Sequence, residues 1–210
     1  MIAYDSSANG SNVNPGTSLT WSHTCTGADR ILFVFTRGGN SEGDKVTGAT
    51  YAGVAMTALS QSVTTPGSAQ QKVRGFYLLN PALGANNVVV SLTSGFLAGV
   101  SSSYTGVKQS GFPDSINTNT ASSASSLTVS TTTVKNNSWT VLGAAGDYFS
   151  AGAGSTLRIS NSSLQVLDSN GPKTPAGATS MAVNYNISDL GGIIVSFAPS
   201  IKGGAFLLGY

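Results

Sequence analysis

Ser18-Leu19-Thr20-Trp21-Ser22-His23-Thr24-Cys25 alternates small hydroxyl residues with larger apolar or ring-bearing ones. A period of two is the signature of an extended strand with one face toward a core, and it places His23 and Cys25 on the same face. A second run of the same kind, Ser126-Leu127-Thr128-Val129-Ser130-Thr131-Thr132, follows 108 residues later. At that offset Ile31, Phe33 and Val34 fall on Trp139, Val141 and Leu142, and Tyr77 and Leu79 fall on Tyr185 and Ile187. The match reads either as an internal duplication or as chance likeness between alternating Ser/Thr strands. In both cases the halves are expected to interleave in one sandwich.

Working outward, the same alternation recurs at 30–36, 45–51, 55–62, 73–79, 87–93, 98–104, 138–143, 156–160, 164–168, 180–187 and 193–198, and helical periodicity is nowhere sustained. Turn formers punctuate these runs, among them Gly27-Ala28-Asp29, Pro66-Gly67, Asn80-Pro81 and Asn170-Gly171-Pro172. About a dozen short strands at this spacing predict an all-β, two-sheet antiparallel β-sandwich of jelly-roll type. The low-complexity stretch 113–126 reads as an unstructured crossover. Residues 1–199 are expected to form a single domain, with 200–210 as an apolar C-terminal tail.

Only 9% of the 210 residues are charged, while 40% are hydrophobic. The chain therefore has the apolar content to fold, and its surface is neutral and rich in hydroxyls. Ten basic residues are scattered through the sequence and the net charge is +2, so no cationic cluster for nucleic acid is written. No apolar run approaches the length of a membrane span. The single cysteine, Cys25, excludes an intrachain disulfide. Met1-Ile2-Ala3-Tyr4-Asp5 lacks the basic and apolar regions of a signal peptide. An exterior-type composition without an export signal fits a virion protein made in the host cytoplasm, or a secreted domain without its leader.

Several phrases carry a resemblance: Asp29-Arg30-Ile31-Leu32-Phe33-Val34, the run from Val46-Thr47-Gly48 to Val54-Ala55-Met56-Thr57, Phe76-Tyr77-Leu78-Leu79-Asn80-Pro81, Ser103-Tyr104-Thr105-Gly106-Val107 and Ile193-Ile194-Val195-Ser196-Phe197-Ala198-Pro199. In this order they resemble a widespread β-sandwich module of bacterial surface proteins and phage structural genes. The phrases read as fold determinants, with apolar alternation, a Gly-centred hairpin and a Pro that ends a strand; the resemblance implies no catalytic role.

The candidate chemistry is thin. His23 and Cys25 are the lone His and lone Cys, too few for a zinc site, and are expected to be structural. Asp44, Asp147 and Asp168 are the conceivable carboxylates of a glycosidase-like pair, but each sits at a turn or loop, where acids serve local hydrogen bonding. No catalytic residue, metal or cofactor is assigned. Tyr148 and Phe149 are the candidate stacking platform for a glycan. Phe206, Leu207, Leu208 and Tyr210 are the candidate docking residues, because an apolar terminus needs cover. The expected function is that of a non-enzymatic virion accessory protein, a capsid-decoration or head-fibre subunit on the virion surface. Its expected partners are capsid or other virion proteins and further copies of itself. The alternative is a carbohydrate-binding adhesion module at a cell or phage surface.

Overall fold

A computed structural model of the chain describes residues 1–38, 45–67, 70–161 and 163–201. They contain no helix. The strands are β1 (Ala3–Val13), β2 (Ser18–Cys25), β3 (Ile31–Gly38), β4 (Val46–Tyr51), β5 (Val54–Ala55), β6 (Thr57–Ala58), β7 (Val63–Thr64), β8 (Lys72–Leu79), β9 (Gly84–Leu92) and β10 (Leu97–Thr105). They continue with β11 (Ser115–Thr132), β12 (Trp139–Ala145), β13 (Tyr148–Ala151), β14 (Thr156–Ser160), β15 (Leu164–Asp168) and β16 (Ala178–Phe197).

The all-β antiparallel sandwich expected from the alternation is what forms, but in three sheets rather than two. The central sheet runs β1-β10-β3-β8-β6, with β7 also on β8; the outer sheet runs β2-β9-β4-β5. The third runs β11-β16-β12-β15-β14, with β13 on β16. Strand β3 shows why two sheets do not suffice. Ile31, Phe33 and Phe35 enter a core shared with the third sheet, while Leu32 and Val34 enter one shared with the outer sheet. A strand buried on both faces reads as a continuous apolar run, as Ile31-Leu32-Phe33-Val34-Phe35 does. Strands β4 and β5 join through a hairpin at Ala52-Gly53, with φ of 50° and 78° at its two central residues.

The third sheet folds over on itself. Asn119 Nδ2 donates to Thr128 O at 2.8 Å and Asn117 Nδ2 donates to Ser130 O at 2.9 Å, all within β11. Nine residues of straight strand would span about 30 Å, so β11 must double back. The bend coincides with irregular pairing between Ala121 and Ser126. Leu127, Val129, Met181 and Val183 on the folded arm close a third core against Leu142, Leu167 and Ile194.

The two halves repeat one plan. The order β1-β10-β3-β8 corresponds to β11-β16-β12-β15, and the β2-β9 pair corresponds to the folded arm of β11 and β16. Hydrogen bonds repeat with it. Ser6 Oγ donates to Thr24 O and faces His23 Nε2 at 3.2 Å and Ser103 Oγ at 3.4 Å. Ser115 Oγ donates to Thr132 O at 2.7 Å and faces Thr131 Oγ1 at 2.7 Å and Ser196 Oγ at 2.8 Å.

Three expectations need correction. No sheet mixes strands of the two halves, so they do not interleave; they pack face to face across the core between central and third sheets. Tyr77 does not correspond to Tyr185. Tyr77 lies opposite Phe33, and the counterpart pair is Asp168 opposite Val141. Most of the stretch 113–126 is strand, the first arm of β11, and not an unstructured crossover.

Candidate functional site

His23 sits between the central and outer sheets, 1% exposed. Its Nδ1 lies 2.9 Å from Ser101 Oγ and its Nε2 lies 3.0 Å from Ser103 Oγ. Ser103 Oγ also lies 2.8 Å from Asp5 Oδ2, a second acceptor for its one hydrogen. Trp21 Nε1 donates to Ser101 Oγ at 2.9 Å. Burial lowers the His23 pKa to about 4 against the opposing pull of Asp5. Burial likewise pushes the Cys25 thiol up. The second half has Thr131 at the place of His23, in the same hydroxyl cluster. A position that a threonine fills equally well in the repeat is a clip between strands, which supports the structural reading of His23 and Cys25.

The carboxylates are dispersed. Asp168 is fully buried, accepting from Arg158 Nε at 2.7 Å and from Asn170 N at 2.9 Å. Arg158 also lies over the Tyr4 ring, 4.2 Å from its centroid. Asp147 is exposed in the turn before β13, and Asp44 lies outside the described residues. Among the described residues no three His, Cys, Asp or Glu side chains group to hold a metal.

Tyr148 and Phe149 open the short strand β13, with Tyr148 opposite Tyr185; their side chains lie outside what is described. Phe206, Leu207, Leu208 and Tyr210 also lie outside the described residues.

A concave surface lies at one end of the sandwich, where both ends of the described chain meet. Gly106, at φ +69°, lets the backbone pass so close to Met1 that a Cβ would strike the Met1 carbonyl. Ser200 N donates to Gly106 O at 2.8 Å, and Val107 bridges to Pro199. These contacts bring Met1, the turn after β10 and the exit of β16 together. Three hollows open there. One of 320 Å³ is walled by Met1, Trp139, Pro172 and Pro199, with Asn137 and Ser200. One of 190 Å³ is lined by Lys108, Lys135, Asn136, Ala198, Pro199 and Ile201. The third, of 410 Å³, is lined by Asp29, Lys108, Gln109, Ser110, Ser200 and Ile201.

Large apolar side chains are exposed around the hollows: Met1 at 93% and Ile201 at 89%. Exposed Val134 precedes Lys135, and exposed Leu83 lies in the turn whose Pro81 carbonyl accepts from Arg30 Nε. Lys108 Nζ is 2.8 Å from Asp114 Oδ1, so this rim cation is paired. Sequence reasoning missed the described walls of these hollows. Trp139 alternates like a core residue and is 7% exposed, yet that remaining edge forms a wall of the first hollow.

Compared with known protein families, with curated proteins and with solved structures, the chain gives no match. Among the described residues no helix is long and apolar enough to cross a membrane.

Proposed function

We propose that the chain is a non-enzymatic accessory protein of a virion surface, a capsid-decoration or head-fibre subunit, that attaches through the end bearing Met1 and Ile201. The observation that supports this is that Met1 and Ile201, the two most exposed large apolar side chains among the described residues, flank hollows at one end. Exposed apolar groups beside concave surfaces fit a contact site. The neutral, hydroxyl-rich composition fits a particle exterior. The partner is a capsid or neighbouring virion protein, with further copies of the chain beside it.

A chain ending at Ser200 tests the proposal. Circular dichroism and thermal melting should be nearly unchanged, while co-sedimentation with particles and self-association should be lost. A truncated chain that still binds particles, or that unfolds, contradicts attachment through this end. Genes beside this one should encode capsid or tail proteins; neighbours with no particle role count against the virion assignment.

A further inference from the structure

The buried cluster around His23 has a proton count that does not close in its simplest form. Ser101 Oγ donates its only hydrogen to Ala8 O at 3.1 Å while accepting from Trp21 Nε1. His23 Nδ1, 2.9 Å from that oxygen, must therefore carry a hydrogen and donate it. On the other side of the ring, Ser6 Oγ gives its hydrogen to Thr24 O. Ser103 Oγ lies between His23 Nε2 at 3.0 Å and Asp5 Oδ2 at 2.8 Å, with one hydrogen for two acceptors.

We propose that His23 and Ser103 form a one-proton switch joining β1 to β2, in which the Ser103 hydroxyl turns between His23 Nε2 and Asp5. With a neutral ring, Ser103 donates to Nε2, and Asp5 keeps the Thr26 amide and hydroxyl as donors. When the ring takes up a proton, Nε2–H donates to Ser103, and the Ser103 hydrogen moves to Asp5. One proton enters from solvent, no covalent bond other than N–H changes, and the cluster gains one positive charge facing the Asp5 carboxylate.

The other groups around the ring leave this proton to it. Tyr51 from β4 meets the ring edge-on at 6.3 Å, and burial pushes its hydroxyl up to about 12. Burial likewise raises the Cys25 thiol on β2, so it stays protonated. Arg30, in the turn after β2, is held by Gly27 O, Pro81 O and Asn80 Oδ1. β10 contributes only Ser101 and Ser103, and Asn86 is opposite on β9. In the second half Thr131 replaces the ring, so the same clip there cannot titrate. The device is confined to the first half of the repeat.

His23 is the only histidine in the chain, so ¹⁵N-histidine labelling reports it without ambiguity. At pH 7 the ring should be the Nδ1–H tautomer, with Nε2 unprotonated. On acidification both nitrogens should become protonated, and the Thr26 amide, which donates to Asp5 Oδ2, should shift along the same curve. Ser103→Ala should leave the ring titrating but uncouple the Thr26 amide from it. His23→Thr, the residue of the second half, should fold and remove the coupled shift. An Nε2–H tautomer or a doubly protonated ring at pH 7 overturns the proposal. So does a Thr26 amide that ignores the ring in the parent or still follows it in Ser103→Ala.

Discussion

At the scale of single residues, the polar groups that matter most are buried. Arg158→Met should leave the Asp168 carboxylate without its cation in a fully buried place. The expected cost is about 3–5 kcal/mol, read as a lower denaturation midpoint; a change under about 1 kcal/mol would show the pair to be dispensable. His23 sets a pH dependence whose sign follows from its lowered pKa. Between about 6.5 and about 4 the unfolded chain binds a proton that the folded chain does not. Stability is therefore full above that window and falls as pH drops through it, by up to about 3 kcal/mol. Denaturation of parent and His23→Thr at pH 7 and pH 4.5 should show the loss in the parent and little of this contribution in the variant. The alternation around His23-x-Cys25 made burial of both residues legible. Their partners were not legible, since Ser101, Ser103 and Asp5 are remote in sequence and of the commonest types in this chain.

At the scale of elements, the strands found by alternation are those with one or two buried faces. The two missed arms, β1 and the first part of β11, are edge strands at equivalent places, and their mostly polar, partly exposed residues carry no apolar period. Strand β16 reads as two strands, 180–187 and 193–198, because Ser188-Asp189-Leu190-Gly191-Gly192 interrupts the alternation. The backbone continues through this stretch as the folded ribbon turns from one arm to the other. Asn117 and Asn119 hold the arms of β11 together through backbone carbonyls. Replacing both with Ala should cost about 1 kcal/mol per bond lost, seen as a lower melting temperature. Equal melting temperatures would show the third core alone to hold the fold-over. Gly143 on β12 is where central and third sheets approach, and any side chain there would run into the Phe35 ring. Gly143→Ala should destabilise by about 1–3 kcal/mol through overpacking; an unchanged denaturation midpoint would mean the sheets part at little cost.

At the scale of the whole molecule, a repeated plan is packed face to face, with sheet faces largely committed to three cores. The end where Met1, Trp139, Pro199 and Ile201 meet keeps apolar side chains exposed beside hollows. The offset of 108 residues made part of the repeat legible, but only for β2 and β3 and their counterparts. Loops of different length shift later strands out of that register. The hollows were not legible, because they are built from turns brought together by long-range pairing. Hydrogen exchange on the protein free and bound to the particle proposed to carry it tests the central claim most directly. Attachment through this end predicts slowed exchange at 1–2, 106–109, 134–139 and 198–201, with the turns at 145–147 and 186–190 unchanged. Protection confined to those opposite turns, or no protection anywhere on bound protein, would contradict it.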